Sequence, residues 1–398
     1  MRVSTANRYE AAVGNLQQRQ QDMVDAQTQM TNGRRINKPS DDPTGAARAE
    51  RAFISQQRIA SEQRSVAASR SAMTLAESAL GQAGEVLQSA RESLVASGNG
   101  SYSPGERAAQ AAQLTQYRSQ LLALANQSNG AGGYLFGGQS ATVAPFLDTP
   151  GGVAAAASGG QSQLSTTDSM PGTVDGNAIW LTARSGNGVF VTSGASSNTG
   201  SAWIDAGSVS DPSALTGSDY QLVFSGSGSA TTYNLLRDGV PTGPANVPFA
   251  AGGAVTVDGM TVHIKGAPAD SDRFSLSPSA PDLSPFTALD KAIAVLKNPA
   301  SNPGQVAQAV NSGLRDIDAA SGQMQAARAE AGSALSRLDA IDGRNQDRLL
   351  WAKSVQAEAE DADMVQAISD FKNQQTGYQA ALQSYASVQR MSLFDYIK

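Results

Sequence analysis

The sequence predicts a mainly α protein with a β-rich domain inserted into it, so that the two ends of the chain belong together. Three observations carry this. Apolar residues recur at spacings of three, four and seven near both ends and through two long internal stretches. Composition changes abruptly near residue 141, where Gly, Ser and Thr replace the Ala, Gln, Arg and Glu of the first block. Inside the changed stretch, short runs alternate apolar and polar residues between turn signals.

From the N-terminus, Tyr9, Val13, Leu16, Met23 and Met30 form a narrow stripe of coiled-coil type rather than a broad globular face. Asn32-Gly33 closes this helix as a left-handed C-cap. Pro39 forbids helix at Lys38. Asp42 then offers an N-cap carboxylate, Pro43 takes the first helical position and Asp41 adds charge near the positive end of the dipole. Two adjacent carboxylates can do acid-base work, but in front of a Pro-initiated helix they are read as a cap. The stretch is an elbow between two helices.

The second helix keeps one seam through Ala52, Ile59, Val66, Met73, Leu80, Leu87 and Leu94, with Ala76, Ala83 and Ala90 as small partners. A strict seven-residue repeat requires another helix alongside. At about 1.5 Å per residue this helix runs roughly 80 Å, which predicts a rod. It stops at Ser97-Gly98-Asn99-Gly100, and Ser103-Pro104-Gly105-Glu106 is a capping box for a third helix through Leu114, Tyr117, Leu121 and Leu124.

Residues 141–283 hold 20 of the 39 glycines, and four basic side chains against eleven aspartates with no glutamate, so the acidity of the chain lies here. YQLVFSG, AVTVDGMTVHIKG and DRFSLSP read as antiparallel strands, with Asp258-Gly259 as a hairpin turn. AAAASGGQSQ and SGASSNTGS read as exposed loops. Helix returns at Ser284-Pro285-Phe286 and starts again at Asn302-Pro303, with Val310, Ile317, Met324, Ala331 and Leu338 seven apart and Leu314, Leu335 and Leu349 on companion positions. Gly313, Gly322, Gly332 and Gly343 each cost about 1 kcal/mol against Ala in such a helix, and close packing is the expected compensation. Met364, Ile368, Phe371, Tyr378, Leu382 and Tyr385 make a last stripe, with Gln375 and Gln389 in register and Leu393, Phe394 and Ile397 as an apolar tail.

Several chemistries are excluded or disfavoured. No cysteine is present, so disulfides and thiolate sites are ruled out. The N-terminus has no apolar signal core, no window is long and apolar enough for a membrane span, and no basic stripe suits nucleic acid. His263 alternates with Val262 and Ile264 in a strand and has no second histidine to build a triad or zinc site. Asp270 and Asp272 lack the rest of a calcium loop, and SGSGSA lacks a phosphate-loop lysine. No enzyme, metal or cofactor is expected. A rival reading makes the insert a sugar-binding adhesin with Trp180, Trp203 and Tyr220 as stacking rings.

The pattern divides the chain into a terminal helical pair (1–40 with 355–398), a long-helix bundle (41–140 with 283–354) and an acidic β-rich outer domain (141–282). A thin terminal pair buries little apolar surface by itself, so its stripes are expected to order against copies or relatives of the same chain.

MTNGRRINKPSDDPTGAARAE, residues 30–50, resembles the N-terminal signature of the bacterial flagellin superfamily, and its Pro-Ser-Asp-Asp-Pro form is more similar to the hook-filament junction members than to flagellin itself. GGYLFGGQ with APF, RAEAGSALSRLD and YQAALQSYASVQRMSLFDYIK are similar to later segments of that group, and VTVDGMTVHIKGAPADSDRFSL to hairpins of flagellar axial proteins. The match covers roughly residues 1–146 and 282–398. The resemblance implies a flagellin-like nested architecture and a structural adaptor joining hook to filament, with a flagellin filament subunit as the rival within the class. It implies export through the flagellar type III apparatus without a cleaved signal peptide, to the extracellular flagellum. Implied partners are other copies in a ring, a neighbouring hook-associated junction protein on the hook side, flagellin on the filament side and a cytoplasmic export chaperone, with no nucleic acid and no membrane. Carried onto this chain, the two terminal stripes become subunit contacts, and Asn37, Asp41 and Asp42 fix the elbow.

Overall fold

Seven-residue spacing in the sequence becomes burial in the structure, a computed structural model that describes residues 5–140, 142–165 and 168–394. In the terminal helices, side chains are described from residue 9 to residue 387. The helices are α1 (Thr5–Asn32), α2 (Pro43–Ser97), α3 (Pro104–Ala125), the short α4 (Gly176–Trp180), α5 (Pro285–Lys297), α6 (Pro303–Glu360) and α7 (Met364–Phe394). Two compact units result, residues 1–64 with 341–398 and residues 65–340. Among the described residues no helix is long and apolar enough to cross a membrane.

In the larger unit, Val66, Met73, Leu80, Leu87 and Leu94 of α2 are all 2% exposed or less, and Val310, Ile317, Met324, Ala331 and Leu338 of α6 are buried too. Ion pairs beside the seam fix the direction: Arg70 to Asp339 at 2.8 Å, Arg328 to Glu77 at 2.6 Å and Arg91 to Asp318 at 2.8 Å, so partner numbers fall as α2 rises and the helices are antiparallel. Such exposed pairs add little energy; the buried apolar seam stabilises the contact. Gly313 packs against Leu94, where a Cβ would come within 2.6 Å of Cδ2, so close approach does explain that glycine. At Gly322, Gly332 and Gly343 nothing lies within 4 Å of a Cβ, and the close-packing explanation fails there.

The capping box that starts α3 is formed, with Glu106 N–H donating to Ser103 Oγ at 3.3 Å and Ser103 N–H to the Glu106 carboxylate at 2.7 Å. From α3, Arg118 clamps Asp148 at 2.7 and 2.8 Å and Asp290 of α5 at 2.6 Å. Beside this clamp Trp180 is fully buried, stacked on Phe286 with centroids 5.8 Å apart and edge-on to Phe136 at 5.6 Å.

The insert contains a hairpin, β1 (Phe146–Thr149) with β2 (Gly152–Ala155), and two antiparallel sheets. Its other strands are β3 (Phe190–Gly194), β4 (Trp203–Ile204), β5 (Ser208–Val209), β6 (Tyr220–Ser225), β7 (Thr232–Arg237), β8 (Val240–Pro248), β9 (Ala254–Val257), β10 (Met260–Lys265) and β11 (Arg273–Pro278). The larger sheet runs β3-β11-β6-β7-β8; the smaller runs β4-β10-β5, with β9 also on β10. Phe190, Leu222, Phe224, Phe274 and Leu276 from one and Ile204, Val262 and Ile264 from the other share a core. The alternation read in YQLVFSG is the buried-intermediate alternation of β6, and Asp258 (φ 39°) and Gly259 (φ 78°) make the left-handed pair that a tight β9-β10 turn needs. β8, at one edge, contains Pro241, Pro244 and Pro248.

One expected exposed loop is a loop from Ala195 onward but not wholly exposed. In SGASSNTGS, Ser193 and Gly194 end β3, and Asn198 is buried with its carboxamide hydrogen-bonded to Arg273 N–H at 2.8 Å and Arg273 C=O at 2.9 Å. Ala154 and Ala155 of AAAASGGQSQ likewise belong to β2. Small polar residues read as solvent-loving, but a buried Asn can substitute its amide for a missing strand partner.

Candidate functional site

The surface of interest is the smaller unit, where helices α1 and α7 meet. Tyr9 of α1 faces Tyr385 of α7 with ring centroids 5.8 Å apart. Further in, a Cβ on Gly377 would come within 2.6 Å of an Arg19 guanidinium nitrogen. At the inner end, Arg34 bridges Asp361 as an isolated antiparallel pair. Helices α1 and α7 are therefore an antiparallel pair.

This pair is poorly filled. Tyr9 is 53% exposed, Val24 50%, Ile368 44% and Leu382 42%, and Met364 is exposed as well. Val13, Leu16, Met23, Met30, Phe371, Tyr378 and Tyr385 are half-buried, and Ala367 alone is buried among the described side chains of the two helices. The pattern that makes a closed seam in α2 and α6 makes an open one here, because one helix covers one side of a stripe and nothing among the described residues covers the other. The side chains of Gln389, Leu393 and Phe394, and Ile397 altogether, lie outside the described residues. Exposed apolar side chains continue along the unit at Phe53 and Ile54 of α2 and at Leu350 and Trp351 of α6, which the heptad reading does not single out.

The elbow is built from main-chain donors and carboxylates. Gly33, at φ 68°, ends α1 by donating its N–H to Gln29 C=O at 2.9 Å. Asn37 N–H and Lys38 N–H both donate to Asp41, at 3.0 and 2.8 Å, around a turn that exposes Pro39. Asp42 accepts from Thr44 N–H at 3.1 Å, Thr44 hydroxyl at 2.8 Å and Gly45 N–H at 2.9 Å, which leaves Pro43 as the first residue of α2. The N–H groups of Lys38 and Asn37 hold the Asp41 carboxyl below the usual range. Asp42 is held down to about 2, by Gly45 N–H first, then the Thr44 hydroxyl and Arg35. Asp41 thus closes the turn and Asp42 caps α2, with no proton to exchange near neutrality.

Several elbow residues carry no sequence signal of the usual kind. Arg35 donates to Asp42 at 3.2 Å and to Ala359 C=O at 2.9 Å, and its N–H donates to Glu360 C=O at 2.6 Å. Ala362 N–H returns to Gly33 C=O at 2.9 Å, and Arg34 pairs with Glu360 at 3.2 Å. Ile36 is buried, and Gly45 is small because a Cβ would meet Ile36 Cδ1 at 2.5 Å and the Asp42 carboxylate at 2.6 Å. Asp363 caps α7, accepting from Val365 N–H at 2.9 Å. The available signal was local: two arginines directly after a left-handed glycine, and Asp361-Ala362-Asp363 breaking the last long helix.

The insert offers little for sugar stacking. Trp180 and Tyr220 are buried, and Trp203 has Lys265 Nζ 5.1 Å from its ring centre. His263 Nδ1 lies 3.0 Å from Asp205. Asp272 is spent on the N–H groups of Thr199, Gly200 and Ala269, and Asp270 on Gly226. Among the described residues no cluster of three acidic, His or Cys side chains is placed to hold a metal.

Residues 3–141 match the model of the bacterial flagellin N-terminal helical region, and residues 193–278 match that of the flagellar hook-associated protein 1 D2-like domain. The insert, which resembles nothing specific by sequence beyond one hairpin stretch, thus has axial-protein relatives through most of its two sheets. Over 398 residues the chain is 26% identical to flagellar hook-associated protein 3 of Salmonella typhimurium, covering 99% of each. Among solved structures, FlgL of Xanthomonas campestris is 30% identical with a TM-score of 0.64, covering 72% of this chain and 94% of that one. The flagellar junction protein FlgL of Legionella pneumophila shares the fold at 24% identity with a TM-score of 0.65, covering 79% of this chain and 100% of that one.

Proposed function

Because this chain belongs to the hook-associated protein 3 family of the bacterial flagellin superfamily, we propose that it is a structural adaptor joining hook to filament. The observation that carries the reading is the contrast between a closed α2-α6 seam and an open α1-α7 pair whose Tyr9, Ile368 and Leu382 face solvent. An apolar stripe of that length on a single chain is a surface for further helices. Copies of the chain in a ring supply some, and a hook-associated junction protein on one side and flagellin on the other supply the rest.

In this reading Tyr9, Val13, Leu16, Met23 and Met30 with Met364, Ile368, Phe371, Tyr378, Leu382 and Tyr385 are inner subunit contacts. The elbow of Gly33, Asn37, Pro39, Asp41, Asp42 and Pro43 sets the terminal pair, the long helices form a surrounding layer and residues 141–282 an outer domain. The protein leaves the cell through the flagellar type III apparatus without a cleaved signal, its C-terminal amphipathic segment held beforehand by a cytoplasmic chaperone. No catalysis, metal or cofactor is part of the role.

The test is a Phe371→Asp, Leu382→Asp double variant in a strain lacking the native protein. The expected result is a soluble, folded chain that no longer joins filament to hook, with motility lost; unimpaired motility overturns the proposal. In the free wild-type protein, residues 1 to about 40 and about 355 to 398 are expected to be cleaved by protease before the rest, and equal protection of ends and centre counts against the reading. Purified protein that grows by itself into long filaments makes it a flagellin instead.

A further inference from the structure

Both sheets of the insert hang from the helices by a narrow link. Ala183 and Leu283 exchange two main-chain hydrogen bonds at 3.0 Å, and Ser185 N–H and hydroxyl both donate to Ala280 C=O at 3.0 Å. A two-segment link of this kind is a natural hinge. A second set of contacts, made by the start of α6, opposes it.

Asn302 and Gln305 cap α6 reciprocally: Gln305 N–H donates to Asn302 Oδ1 at 2.8 Å and Asn302 N–H to Gln305 Oε1 at 3.1 Å. The same two amides donate outward with their other ends. Asn302 Nδ2 reaches Asn198 C=O at 2.9 Å, and Gln305 Nε2 reaches Asn198 C=O at 3.1 Å and Ser196 C=O at 2.9 Å. One turn on, Gln308 Oε1 accepts from Ile204 N–H of β4 at 2.9 Å. Two turns further, Arg315, fixed by Asp316 at 3.0 Å, donates to Thr192 C=O of β3 at 3.2 Å and to its hydroxyl at 3.1 Å.

Backbones also touch. A Cβ on Gly304 would lie within 2.8 Å of Gly200 C=O and of main-chain atoms of Ser201 and Ala202, so no larger residue fits. Alongside, a half-open cleft of about 620 Å³ separates this sheet edge from α5 and α6. The insert is thus held by a line of directional polar contacts beside an unfilled space, where an ordinary domain contact would be a filled apolar one. Directional bonds specify an angle, and a filled apolar contact tolerates sliding.

We infer that residues 302–315 of α6 act as a latch that fixes the orientation of the β-rich insert on the helices, overriding the hinge at Ala183 and Leu283. Asn198 is the keeper of the latch, tied to Arg273 of β11 by its side chain and to α6 by its carbonyl.

Because the chain has no cysteine, spin labels can be placed without background at Val240→Cys on β8 and Val95→Cys on α2, both well exposed. Pulsed electron-spin distance measurement on the full chain is expected to give one narrow distance. Gly304→Val is expected to lose it for a broad or second population, with unchanged helical circular dichroism. Gly322→Ala, which meets open space in the same helix, keeps the narrow distance. If Gly304→Val fails to fold, the milder Asn302→Ala, Gln305→Ala double variant is read in its place. A broad distance in the unmodified protein, or a distance as narrow in the folded latch variant as without it, overturns the inference.

Discussion

Arg35 and Asp42 lie 3.2 Å apart across the elbow, and the same arginine holds Ala359 C=O at 2.9 Å in the last turn of α6. A cap and a chain crossing are therefore one network. Its carboxylate side sets a pH dependence. The folded Asp42 carboxyl is depressed from 3.8 to about 2, so its contribution is fully present above pH 4 and is lost as pH falls through about 2. The Gly45 amide resonance is expected to titrate with a midpoint of about 2; a midpoint at 3.8 denies the cap.

Gly45→Ala and Gly343→Ala should move stability in opposite directions. Both glycines are helical, and Ala is worth about 1 kcal/mol more in a helix. At Gly343 nothing lies within 4 Å, so the gain is kept. At Gly45 the added methyl meets buried Ile36 and the capping carboxylate, and overpacking of about 1–3 kcal/mol outweighs it. Thermal melts of the two variants decide the signs.

Truncating a closed seam and an open one should differ widely. Leu87→Ala removes a fully buried side chain and is expected to cost about 2–5 kcal/mol in urea unfolding of the free protein. Leu382→Ala, at a half-open position, should cost within about 0.5 kcal/mol there. Equal losses would mean that the terminal pair is already covered in solution.

Asn345 occupies the next seven-residue step after Leu338, is 2% exposed, and its side-chain NH₂ meets no partner among the described residues; its Oδ1 accepts from Arg348 at a long 3.4 Å. Asn345→Leu removes an unsatisfied buried amide from an apolar seam and is expected to stabilise the chain by about 1 kcal/mol. Loss of stability in denaturant titration would show that the amide is satisfied.

Periodicity made the helices legible. Ala52, Ile59, Val66, Met73, Leu80, Leu87 and Leu94 are named by spacing alone and all are buried. Caps were legible for the same reason, as at Ser103 and Glu106. Burial of small polar residues was not. Asn198 reads as loop, and its role depends on Arg273 and Asn302, far away in sequence. The same limit hid Arg35, whose partners include Ala359 and Glu360. Spacing also could not tell a covered stripe from an open one: α1 and α7 carry the pattern of α2 and α6 with less of the burial.

The edge strand β8 has a consequence for crowding. Pro241, Pro244 and Pro248 have no N–H to offer, which interrupts the outer ladder of the five-stranded sheet. In the ring proposed above, an unbroken edge strand would be a template on which a neighbouring copy's sheet could pair. A margin blunted by proline disfavours that pairing, which leaves contacts between neighbours in the proposed ring to the helices.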